Sequence, residues 1–245
     1  MTLREQIGQL FMMGFTGTTV SHDLASFITA YKPGGVIFFR RNLESVHQIV
    51  DLTNGLQKLS PASPLLIAID QEGGRVSRLP AEFTIFPPCG QLGQCNSSEL
   101  AYSAAATIAK ELRAVGINMN MAPVLDVNSN PDNPVIGDRA FGAEPDLVAE
   151  MGLATIGGLQ DNMVVACGKH FPGHGDTATD SHKGLPVVDA GIQRLRETEF
   201  PPFQQAIRQG VASLMTAHVL YRALDPDAPA TLSPAVIQRV LREEF

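Results

Sequence analysis

Residues 164–182 read VVACGKHFPGHGDTATDSH. The stretch opens as an apolar run with no polar side, the pattern of a strand buried on both faces of a parallel sheet. It ends abruptly in Lys169-His170, followed by a loop dense in glycine, histidine and aspartate. Polar chemistry therefore collects at the C-terminal end of a buried strand. The same arrangement occurs in PLLIAID (64–70), which ends on Asp70, and in INMNMAPVLDV (117–127), which carries Asp126 near its end. Three further apolar runs complete the set: LFMMGF (10–15), GGVIFF (34–39) and VASLMTAHV (211–219), the last with His218 at its close.

Between the runs lie segments of helical period. The clearest follows Ser98, where Leu100, Ala104, Ile108 and Leu112 fall four apart beside Ala101, Ala105 and Ala109, and Gly116 closes the segment. Another opens with Ser233-Pro234, an N-cap residue before a proline whose missing N–H costs nothing there. Six alternations of strand and helix predict a parallel sheet covered by helices. Chemistry gathered at the C-terminal ends of several strands favours the TIM (β/α)8-type barrel. No GxGxxG follows the first strand, so the nucleotide-binding doubly wound sheet has little support. The expected class is α/β, with about six of the eight βα units of a barrel present.

The composition agrees. The chain has 245 residues, 44% of them hydrophobic and 18% charged, enough apolar material for a sizeable core. A formal net charge of −7 argues against a nucleic-acid partner, which would need a basic surface. The start, MTLREQIGQL, does not read as a signal peptide, and LFMMGF is too short to span a membrane. The three cysteines are odd in number and have no CxxC spacing, which predicts reduced thiols and a cytoplasmic protein, with Cys167 a small core residue.

Residues 167–182 hold three of the six histidines with Lys169, Asp176 and Asp180. A zinc site from His170, His174 and His182 is one reading, but Pro172, Gly173 and Gly175 rule against the helix that would align His170 with His174. A catalytic loop is the second: Asp180, two residues from His182, can fix the imidazole tautomer and stabilise its protonated form, which suits general acid/base work near neutral pH. A polar surface loop capping a helix is the third. In residues 70–78, DQEGGRVSR, Asp70 can accept from two adjacent hydroxyls while Arg78 donates beside them. Glu72 and Arg75 are expected to form an ion pair supporting that loop. Asp138-Arg139 reads either as an exposed pair or as an arginine carried over the site by the long loop after Asp126.

Taken in order, IDQEGGRVSRL, MAPVLDV, VIGDRAFG, GKHFPGHGDTATDSH and LMTAHVLY resemble the N-terminal barrel domain of family 3 glycoside hydrolases over essentially all of residues 1–245. More narrowly, they resemble bacterial cytosolic β-N-acetylglucosaminidases of muropeptide recycling. The resemblance implies that Asp70 and Arg78 hold hydroxyls of a terminal N-acetylglucosamine and that Arg139, Lys169 and His170 complete the sugar site. It implies His182 as general acid/base with Asp180 as its partner, no metal and no cofactor. The reaction would retain anomeric configuration through a covalent intermediate on an aspartate.

No aspartate of this sequence matches that nucleophile: Asp225 and Asp227 lie in a proline-rich loop and Asp189 precedes a helix. The expectation is a barrel domain cut before the nucleophile-bearing strand, hydrolytically inactive alone, with unpaired sheet edges that favour association. A phosphorylase, to which a histidine acid/base is suited, a non-catalytic sugar-binding relic and a metal-dependent hydrolase are the competing readings. The absence of tryptophan, with three tyrosines, favours a small site for one terminal sugar over a long polysaccharide cleft. The expected partner is thus a small carbohydrate.

Overall fold

The computed structural model describes residues 1–179 and 184–245. All six apolar runs form strands of one parallel sheet: β1 (Met12–Met13), β2 (Gly35–Phe38), β3 (Leu66–Ile69), β4 (Met119–Asn120), β5 (Val165–Phe171) and β7 (Ser213–Thr216). They lie in the order β1-β2-β3-β4-β5-β7, each beside its sequence neighbour, and the sheet curls as part of a TIM-like barrel. Strands β1 and β7 stand at its two edges. Two short strands, β6 (Val187–Val188) and β8 (Leu220–Tyr221), pair separately and in parallel. They went unforeseen because two residues carry no periodicity.

The crossovers are helical. Helices α1 (Leu3–Gln9), α2 (His22–Tyr31) and α3 (Val46–Lys58) precede β1, β2 and β3 in turn. Ser21 and Ser45 cap α2 and α3 by accepting from the backbone N–H three residues on. After β3 come α4 (Cys89–Cys95) and α5 (Ser98–Ala114), after β4 comes α6 (Pro145–Gln160), and after β5 come α7 (Ile192–Glu197) and α8 (Phe200–Arg208). In α5 the buried stripe is Ala101, Ala105, Ile108, Ala109 and Leu112, while Leu100 faces solvent. The buried face keeps Ile108 and Leu112 of the expected line and takes the flanking alanines in place of Leu100, because α6 packs along them. Gly116, at φ +82°, ends the segment where a Cβ would collide with the Thr53 hydroxyl. Ser233 does cap the final segment, accepting from Val236 N–H at 3.2 Å, and residues Ala235–Glu244 wind as a π-helix.

The main core lies between the sheet and its helices and is built on Val36, Phe38, Ile49, Leu52, Ile67, Leu112, Phe171 and Phe203. The other face of the sheet carries a smaller, methionine-rich cluster of Ala68, Met119, Met121 and Cys167, with Met12, Ile37 and Met215 against it. Cys167 is a packed residue, as its apolar run suggests. Among the described residues no helix is long and apolar enough to cross a membrane.

Candidate active site

The C-terminal ends of β3, β5 and β7, with the loop after β4, border an open cleft of about 460 Å³ lined by Asp70, Glu72, Arg78, Arg139, Lys169, His170, His174 and His218. Lys169 stands on β5 opposite Met215, and Phe171 stands opposite Thr216, so His170 is an extra residue in the strand. A bulge of this kind re-aims side chains beside a site. It delivers the ammonium of Lys169 and the imidazole of His170 to different partners.

Lys169 is buried and bridges two carboxylates, Glu72 Oε1 at 2.6 Å and Asp70 Oδ1 at 2.9 Å. Arg139 completes the array with a fork onto Glu72, Nε to Oε2 at 2.9 Å and Nη2 to Oε1 at 2.8 Å. Burial alone would raise the pKa of Glu72. The positive charges of Lys169 and Arg139 overcome it and hold the carboxyl at about 2. Burial likewise disfavours charge on Lys169, and the facing carboxylates of Glu72 and Asp70 more than reverse it, raising its pKa.

The expected Glu72–Arg75 pair does not form. Arg75 reaches across to Asp138 Oδ1 at 3.0 Å and to the carbonyl oxygens of Val135 and Ile136. Asp138 and Arg139 are adjacent in a 3-10 turn, Gly137–Arg139, and point apart: Asp138 outward to Arg75, Arg139 inward to Glu72. The loops after β3 and β4 are thus tied twice, once outside and once inside.

Asp126, near the end of the fourth apolar run, is fully buried and organises the histidine loop. Its Oδ2 lies 2.6 Å from His170 Nδ1, and its Oδ1 accepts from the backbone N–H groups of His170 and His174 at 3.0 and 2.7 Å. Burial would raise its pKa, but these partners, His170 foremost, hold it at about 2. His174 is buried beside it, with Nδ1 2.9 Å from Thr177 Oγ1, and burial lowers its pKa. Asn133 donates to the His174 and Gly175 carbonyls, locking the loop to residues 128–136. Gly175 packs so closely that a Cβ there would lie 1.6 Å from the Val127 carbonyl oxygen.

Arg78 lines the cleft; its backbone N–H donates to Gln71 Oε1 at 2.9 Å, and its Nε is buried without an acceptor. His218 lines the β7 side, its Nδ1 2.8 Å from Thr231 Oγ1. The cleft therefore brings together Asp70, Arg78, Arg139, Lys169 and His170, the five residues that the family resemblance names for the sugar site. Asp180 and His182 lie outside the described residues. Glu72 and Asp126 are the members that sequence reasoning undervalued. Among the described residues no group of three His, Cys, Asp or Glu is placed to hold a metal ion.

Known proteins resemble this chain over most of its length. Beta-hexosaminidase A of Pseudoalteromonas piscicida is 40% identical over 248 residues, covering 93% of this chain and 42% of that protein. The structure of a glycoside hydrolase family 3 beta-N-acetylglucosaminidase from Paenibacillus sp. str. FPU-7 superposes with a TM-score of 0.97 at 50% identity, over all of this chain and 47% of that one. NagZ from Neisseria gonorrhoeae, in complex with N-trifluoroacetyl-D-glucosamine, superposes with a TM-score of 0.89 at 35% identity, over 95% of this chain and 70% of that one. The chain thus spans less than half the length of the first two. The model of the glycosyl hydrolase family 3 N terminal domain matches residues 2–245, and the chain belongs to that family.

Proposed function

We propose that this chain carries the sugar-binding half of a retaining exo-β-N-acetylglucosaminidase, whose substrates are small glycosides ending in N-acetylglucosamine, cell-wall muropeptides in the cytoplasm among them. The observation that carries the reading is the array Asp70–Lys169–Glu72–Arg139 at the strand ends, beside Arg78. Among the described residues Asp70 is held through Oδ1, which leaves Oδ2 to accept from sugar hydroxyls. Lys169, fixed by Glu72, donates a further proton to the same sugar, and Arg78 supplies a guanidinium. His170, oriented through Nδ1 by Asp126, presents its other ring nitrogen to the cleft.

In this reading His182 protonates the leaving oxygen, with Asp180 as its partner. An imidazole becomes neutral on giving up its proton and repels an incoming nucleophile less than a carboxylate would. None of the aspartates in residues 1–245 is assigned as the nucleophile: Asp126 is consumed by the histidine loop, Asp189 pairs with Arg222, and Asp225 caps the loop before Ser233. The 245-residue chain is then a binder that does not turn over. Calorimetric titration with N-acetylglucosamine tests the site, and Asp70→Ala should weaken binding by about 10- to 100-fold, the worth of hydrogen bonds to a charged acceptor. Binding indifferent to that change would overturn the reading. Steady hydrolysis of a chromogenic N-acetylglucosaminide by residues 1–245 would overturn the assignment of no nucleophile.

A further inference from the structure

A second cavity, of about 480 Å³, opens on the other side of Arg78 from the cleft. Its walls come from the turn after β2 and the loop after β3, chiefly Arg40, Leu43, Ser77, Arg78, Leu79 and Phe83. We propose that this cavity receives an anionic substituent, a phosphate monoester or a carboxylate, carried by the sugar bound in the cleft.

The charge balance motivates this. In a chain of net charge −7, the cavity is lined by two guanidinium groups and no carboxylate. Neither Arg40 nor Arg78 makes an ion pair among the described residues, whereas Lys169 and Arg139 in the adjoining cleft are both matched by acids. Arg78 Nε is buried with no acceptor. The guanidinium charge of Arg78 is thus unmatched among the described residues, and an anion entering the cavity would match it. The apolar side chains of Leu43, Leu79 and Phe83 lower the local dielectric and so strengthen a guanidinium–anion pair.

Topology places the substituent. The histidine loop follows β5, so the scissile bond and the leaving group of the proposed reaction lie toward β5 and β7. The arginine cavity is built after β2 and β3, at the other side of the sheet order. It adjoins the part of the ring remote from the bond that breaks. The exocyclic C6 arm and the ring hydroxyls are the positions that could carry an anion into it. The inference rests on the sugar-site reading above and adds a selectivity that reading does not contain.

Calorimetric titration of the 245-residue chain with N-acetylglucosamine, N-acetylglucosamine 6-phosphate, N-acetylmuramic acid and inorganic phosphate tests it. At least one anionic sugar should bind about tenfold or more tightly than N-acetylglucosamine, the scale of one charge-assisted contact. Arg40→Gln should erase that gain and leave N-acetylglucosamine affinity unchanged. The 6-phosphate and the lactyl carboxylate report separately which substituent fits. If N-acetylglucosamine binds and neither anionic sugar gains, the proposal fails while the sugar site stands. Free phosphate binding in an Arg40-dependent way, with no gain for either sugar, also overturns it. If no sugar binds, the sugar site fails and this inference with it.

Discussion

Replacing Glu72 by Gln removes the one carboxylate that both Lys169 and Arg139 share, and leaves Asp70 alone against two buried or half-buried cations. The depression of Glu72 from 4.5 to about 2 is worth about 3 kcal/mol, in keeping with the cost of breaking a buried ion pair. In a chain of this size each kcal/mol moves the melting temperature by about 2–4 °C, so the variant should melt about 6–12 °C lower at pH 7. The sign with pH follows from the direction of the shift. A carboxylate whose folded pKa is lowered contributes its full stability above 4.5 and loses it as pH falls through about 2. Thermal melts followed by circular dichroism should therefore show the gap between wild type and Glu72→Gln shrinking at pH 3 to roughly half or less of its value at pH 7. A variant that melts within about 2 °C of wild type at pH 7, or a gap unchanged at pH 3, would refute the charge argument.

Asp126 raises the pKa of His174 against the lowering effect of burial, so Asp126→Asn should move the imidazole titration midpoint, read by NMR, further down; an upward move would contradict the geometry. Gly175→Ala sets a Cβ against the Val127 carbonyl and should cost about 3 kcal/mol or prevent folding. Gly157→Ala, whose Cβ meets only the Tyr102 ring at 3.6 Å, should gain about 0.5–1 kcal/mol in helix α6; equal denaturant midpoints for the two would discredit the close packing. Glu199 is buried with Oε2 unpartnered, and burial raises its pKa to about 7. Its ionisation penalises the fold as pH rises above 4.5 and does so fully only beyond about 7. Glu199→Gln should therefore be neutral at pH 4 and stabilising by about 1–3 kcal/mol at pH 8 in denaturant titrations.

The strands were legible because parallel strands covered on both faces are continuous apolar runs, and each of the six runs contains one. The cleft was legible because Asp70, Lys169 and His170 terminate such runs or follow them directly. Ion-pair partners were not. Glu72 and Arg75 are three apart and of opposite sign, yet the tight turn through Gly73 and Gly74, both at positive φ, sends them to different loops. Asp138 and Arg139 show the same limit: adjacency in sequence says nothing of which side chain faces inward. The position of Asp126 at a strand end was legible but its role was not, because that role lies in backbone N–H groups 44 and 48 residues away.

That exchange of partners bears on what the site can do. If Glu72 paired with Arg75 inside one loop, Lys169 would stand with Asp70 alone, and the loop after β4 would be free of the cleft. As built, Glu72 draws on Arg139 from one loop and Lys169 from a strand, and Arg75 closes the outer ring with Asp138. Asp126 ties the same β4 loop to the histidines after β5. Three consecutive strand ends are thus fixed to one another by charged hydrogen bonds before any ligand arrives. A site that orients a small polar ligand through a few hydrogen bonds benefits from that order, since the cost of holding its donors and acceptors is met in folding rather than in binding. Arg78 differs from them, for it stands outside this network with its Nε unpartnered, and it is also the wall the cleft shares with the arginine cavity. Among the described residues Arg78 is therefore the cation of the cleft whose charge folding leaves unmatched.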